Sequence, residues 1–142
     1  MAAYRNVLIA VDLSDDSAAV VKRGLEVAPG AKVSLLHVLE FIPVDPAGEA
    51  LLPPPVDLEG ELLQSARQRL DALCTRLGLA DAPHRVEVGR IKAEIVRVAT
   101  EEQVDLLVLG SRERHGLALL LGSTEKSVLH KAPCDVLAVR IG

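Results

Sequence analysis

Aliphatic residues in this chain arrive in short blocks whose spacing alternates between two periods. Asn6-Val7-Leu8-Ile9-Ala10-Val11 is an unbroken apolar run, the pattern of a strand buried on both faces of a parallel sheet. Beyond Asp12, Ala18, Val21, Leu25 and Ala28 recur at helical spacing and Pro29-Gly30 stops them. Ser14 is placed to cap that helix, with Asp15 and Asp16 in its first turn, where the helix dipole favours acids. Val33 to Val38 reads as a second strand, and Leu62, Ala66, Leu70, Leu73 and Leu77 as a second helix. His84 to Val88 gives a third strand turned by Gly89; Ile91, Ile95, Val98 and Ala99 mark a third helix. Leu106 to Leu109 is the fourth strand, Thr124 to Lys131 a short fourth helix, and Val136 to Val139 the last strand.

Strands alternating with helices predict an α/β fold, with a doubly wound parallel sheet of five strands in a three-layer sandwich. One domain spans residues 1–142. The stretch holding Pro43, Pro46 and Pro53-Pro54-Pro55 has no regular pattern and reads as an exposed loop. In sheets of this kind ligands bind beyond the carboxyl ends of the strands, where the strand order reverses. If the first and fourth strands are neighbours there, Asp12 and the loop after Gly110 face one crevice.

Composition removes several function classes. Apolar residues make up 49% of the 142 residues, yet the only aromatics are Tyr4 and Phe41, so the stacking platforms of single-strand nucleic-acid binders are missing. A net charge of −4 argues against a nucleic-acid or anionic-membrane surface. No apolar run approaches the roughly 20 residues of a membrane helix, and the N-terminus enters a strand without a secretory pattern. Cys74 and Cys134 have no metal or redox spacing, which fits two reduced thiols in a cytoplasmic protein.

The candidate chemistry lies around the fourth strand. Leu106-Leu107-Val108-Leu109-Gly110-Ser111 is followed by Gly116 and Gly122-Ser123-Thr124. Glycines at a strand end and a hydroxyl-led helix start offer main-chain N–H groups to an anion; a turn and a helix cap would use the same residues. No Gly-Lys-Ser/Thr occurs, so this is not a Walker A loop. Arg112, Arg114 and His115 form a basic knot, either a solvated face or an anion clamp. His37, His84, His115 and His130 lack metal-ligand spacing, and no nucleophile–base–acid set stands out. A receiver domain would need an aspartate closing the third strand, where Val86-Glu87-Val88-Gly89 stands instead.

Three segments together resemble the universal stress protein family: Val-Leu-Ile-Ala-Val-Asp-Leu-Ser at the front, Val-Gly-Arg-Ile-Lys-Ala-Glu-Ile in the middle, and Asp105 through Arg140 at the tail. The resemblance implies a Rossmann-like sheet of the adenine nucleotide alpha hydrolase-like kind and a bacterial stress-response role. It further implies a homodimer, and a family divided into branches that bind ATP and branches that do not. By family position Asp12 would meet the adenosine end of a nucleotide and the main chain of Val38 the adenine. Leu109, Gly110, Arg112, Gly116, Gly122, Ser123 and Thr124 would line the phosphate side, with Mg2+ accompanying ATP. Nucleotide-binding members carry Gly-x2-Gly-x9-Gly-Ser/Thr. Here Glu113 takes the second glycine's place and only eight residues separate it from Gly122. A carboxylate beside a polyphosphate costs about 1 kcal/mol if hydrated and several if partly buried, which Arg112, Arg114 and His115 could offset.

Two functions therefore stand at this point. One is a dimeric stress-response protein acting through partner contacts, with no dedicated catalysis; the other is an ATP-binding switch with slow hydrolysis. The aliphatic edge Val136-Leu137-Ala138-Val139 needs a cover, and a second copy pairing the same edge would supply it. If the arginines act as an anion clamp, changing Arg112 and Arg114 to Ala weakens nucleotide binding markedly in calorimetry. Unchanged affinity returns them to the solvated surface.

Overall fold

The structure, a computed structural model, describes residues 4–40, 58–112 and 132–141. The proline-rich loop, the glycine and basic residues beyond Arg112 and the expected helix over 124–131 lie outside the described residues, as does the side chain of Arg112. The elements run β1 (Asn6–Ala10), α1 (Ser17–Val27), β2 (Lys32–Leu39), α2 (Leu58–Arg76), β3 (His84–Val88), α3 (Ile91–Glu101), β4 (Leu106–Arg112) and β5 (Asp135–Ile141). All five strands are parallel in the order β3-β2-β1-β4-β5. The anticipated neighbours β1 and β4 do pair, Val7 opposite Leu106 through Ala10 opposite Leu109.

Alternation along each strand divides the core into two layers. Val7, Ile9, Leu35, Leu106 and Val108 join Val20 and Val21 of α1 and Leu70 and Leu73 of α2 on one face. Leu8, Leu36, Val38, Leu107 and Leu109 join Ile95, Val98 and Ala99 of α3 on the other. The unbroken aliphatic runs arise from this, because a strand with helices on both sides has no solvent face. Each such side chain contributes about 1.5–3 kcal/mol on burial.

Element ends differ from the sequence reading where polar groups compete. Helix α1 starts at Ser17, not after Ser14, and Asp16 is the capping residue without a side-chain cap bond. Asp15 and Asp16 therefore precede the first turn. The Asp12 carboxylate takes over the turn instead, as its Oδ1 accepts from Ser14 N at 2.9 Å and from Ser17 Oγ at 3.2 Å. The turn leaves Leu13 at φ 63°, a left-handed conformation that costs about 1–2 kcal/mol for a side chain of this kind. Burial of Leu13 offsets that strain, as does a 2.6 Å hydrogen bond from Arg69 Nη2 to its carbonyl. β4 continues through Gly110 to Arg112, since β5 pairs it that far.

Charges guard the β3 edge. Arg97 Nη1 and Nη2 lie 2.6–2.8 Å from Glu87, Glu94 and Glu101. The Arg85 Nε and Nη2 atoms are buried without a hydrogen bond but lie 3.5–3.7 Å from the carboxylates of Glu87, Glu101 and Glu102. Such pairs add little stability on a surface, yet charged side chains discourage pairing of a stray strand.

His84 ties β3 to α2. Its Nδ1 faces the Ala82 carbonyl at 2.7 Å and its Nε2 the Asp71 carboxylate at 2.6 Å. Two acceptors require two ring protons, so the cation is favoured. The Ala82 carbonyl raises the pKa most, burial opposes it, and Asp71 raises it further. A folded value above the unfolded one near 6.5 means the stabilisation is full below that pH and lost as pH rises through the folded value. The urea-midpoint gap between the native protein and His84→Gln should thus be wider near pH ~5.5 than near pH ~8.5. An equal gap at both would show that the imidazole does not titrate against folding.

Candidate functional site

At the carboxyl ends of β1, β2 and β4 the sheet opens into a cleft of about 440 Å³, within the roughly 300–1,000 Å³ of small-molecule sites. It straddles both layers. Ser17 and Val20 of α1 form one side, Ile91 and Ile95 of α3 the other, and Ile141 of β5 closes an end. The expected site residues Asp12, Val38, Leu109 and Gly110 all line it. Gly116, Gly122, Ser123 and Thr124 are outside the described residues.

Each polar group among the described lining residues has a local reason for its position. Asp12 follows the last residues of β1 and is fixed by the Ser14 amide and the Ser17 hydroxyl; Ser17 itself is only 2% exposed. Glu40 follows β2, and its Oε2 accepts from the main-chain N–H of Ile91 at 3.4 Å, serving an amide that α3 cannot satisfy internally. His37 Nδ1 lies 2.8 Å from the Val11 carbonyl, just past the β1 ladder. Val38 is a core residue at 7% exposure that also touches the cleft.

Gly110 is confined by packing rather than by its backbone angle. A Cβ there would stand 2.9 Å from Ile141 Cδ1 and 3.2 Å from Val20 Cγ2, both closer than ordinary contact. The residue is thus pinched between the last strand and α1. Reading the chain missed His37, Ser17, Glu40 and Ile141 as cleft residues. A signal existed for His37, the one ionisable side chain inside the aliphatic run Val33–Val38; for Ile141 none did, because only β4–β5 register brings it to Gly110.

The sequence profile described as the Universal stress protein family matches residues 3–140. The chain belongs to that family. Universal stress protein A homolog 1 of Coxiella burnetii is 38% identical over 138 residues, 96% of each chain. Homolog 2 of the same organism is 37% identical over 141 residues, 97% of this chain and 96% of its own. Among solved structures, the universal stress protein UspA from Lactobacillus plantarum superposes with a TM-score of 0.74 at 28% identity, covering 99% of this chain and 100% of its own. A universal stress protein in complex with cAMP gives a TM-score of 0.62 at 28% identity, covering 96% and 97%. The five-stranded parallel sheet is the one these universal stress proteins share.

The packing at Gly110 makes a direct prediction for this universal stress protein. Gly110→Ala should lower stability by about 1–3 kcal/mol in urea denaturation, and Ile141→Ala added to it should recover part of the loss. Additive losses in the double variant would mean that the pinch is relieved elsewhere.

Proposed function

We propose that this universal stress protein is a cytoplasmic, dimeric stress-response switch that takes an adenine nucleotide in the strand-end cleft and signals through partner contacts. The observation that carries the reading is the β1–β4 pairing, which brings Asp12 and Gly110 into one cleft together with Val38. The volume suits a nucleoside, and the lining acceptors suit its hydroxyl and amine donors. The relative in complex with cAMP supports a nucleotide as the class of ligand.

On this reading Asp12 orients the sugar, Val38 offers main-chain groups to the base, and the Gly110 end leads toward the phosphates, with Mg2+ accompanying a triphosphate. Arg112, Gly116, Gly122, Ser123 and Thr124 are the phosphate-side residues proposed from the family resemblance. No part of the reading needs dedicated catalysis; slow hydrolysis of bound ATP would act as a timer. The second copy docks on β5, whose outer edge pairs with no other strand among the described residues and carries Val136 to Val139. That edge is the place where an occupied cleft could be felt by a partner, since β5 also supplies Ile141 to the cleft.

The test is to purify the protein without added nucleotide, denature it, and resolve the supernatant by anion exchange, then titrate Mg-ATP by calorimetry. Co-purified adenine nucleotide, or saturable binding that Asp12→Ala weakens by at least about tenfold, is the expected result. Neither nucleotide nor heat at about millimolar ATP would leave the protein acting through partner contacts alone. Light scattering should give twice the chain mass, and a monomer at working concentration would remove the dimer.

A further inference from the structure

Every hydrogen-bonding side chain among the described lining residues presents an acceptor. Asp12 and Glu40 contribute carboxylates, the Ser17 hydroxyl is already donated to Asp12, and no Lys or Arg stands among the described lining residues. His37 completes the set. A carbonyl can only accept, so the 2.8 Å contact with Val11 O places the imidazole proton on Nδ1. The neutral ring then carries its lone pair on Nε2. That atom has no hydrogen-bond partner among the described residues, and the ring it belongs to lines the cleft.

We propose that His37 is a specificity-determining residue of the cleft, its Nε2 accepting a hydrogen bond from a donor on the nucleoside end of the ligand. The inference rests on the nucleotide reading above and deepens it. Phosphate oxygens, acceptors that carry negative charge, find no complement among the described lining side chains Asp12, Glu40 and His37, so on this reading the phosphates point toward the Gly110 side. A sugar hydroxyl or an exocyclic amine does find one. The Val11 carbonyl acts here as a tautomer lock: by holding the proton on Nδ1 it fixes which face of the ring is the acceptor. A ligand lacking the matching donor would leave Nε2 desolvated and unpaired, which is how sites built on hydrogen bonds reject analogues.

The experiment is a set of calorimetric titrations of the full chain and of His37→Phe. The ligands are adenosine, purine riboside (which lacks the amine), 2′-deoxyadenosine and 3′-deoxyadenosine. Adenosine should bind the variant about tenfold more weakly, and for one analogue, the one missing the paired donor, native protein and variant should bind equally. A loss of the same factor for all four ligands would mean that His37 only shapes the cleft, and no loss for any would mean that Nε2 meets nothing; either overturns the inference. If the native protein binds neither adenosine nor ATP, the nucleotide reading itself falls, an outcome distinct from both. Should His37→Phe fail to fold with the Val11 carbonyl left bare, His37→Lys, which keeps a donor for that carbonyl and has no acceptor, carries the same comparison with the same outcomes.

Discussion

Strand β1 is hydrogen-bonded along both edges, to β2 on one side and to β4 on the other, and the cleft follows from that double pairing. From β1 the chain steps outward to β2 and then β3, and it must then come back across β1 to lay down β4 and β5. Because parallel crossovers are right-handed, the reversal of direction puts α1 and α2 on one face and α3 on the other. The strand ends at β1 are therefore flanked by helices leaving to opposite sides. A crevice at that point is the unavoidable geometric product, whatever it is used for.

What fills the crevice's walls is a compromise between folding and recognition. Asp12, Glu40 and His37 each satisfy a main-chain group that the regular elements leave over: the Ser14 amide, the Ile91 amide and the Val11 carbonyl. These groups exist because strands end and helices begin there. The side chains that repair the ends are then the ones held still enough to meet a ligand. Preorganisation in this cleft is a by-product of capping.

The strands could be read from the chain because burial on both faces leaves an unmistakable aliphatic signature, and the crossover rules then allow few arrangements. Asp12, Val38, Leu109 and Gly110 were recognisable through the resemblance and the switch-point rule. Helix α1 began later than its hydroxyl and acidic residues suggested, because Asp12 rather than Ser14 organises the turn and Leu13 is driven into a left-handed conformation there. Periodicity cannot report such competition between neighbouring carboxylates and hydroxyls. His37 left a local mark as the one ionisable side chain of its aliphatic run, whereas Glu40 and Ile141 depend on contacts between elements far apart in sequence, information that no local window contains.

The ladder between β1 and β4 also bears on how the molecule is assembled. It begins beside the Asp105 carboxylate, which accepts from the Arg5 and Asn6 amides at 2.9 and 3.0 Å, hydrogen bonds that lower its pKa. The Asn6 contact spans 99 residues of chain. Closing so long a loop must precede any of the reward from pairing, and chains dominated by such distant contacts fold slowly. On a ribosome, β1 waits with one aliphatic edge uncovered until β4 has been made. Nascent β1 is thus the segment of this protein most in need of shelter before the sheet exists.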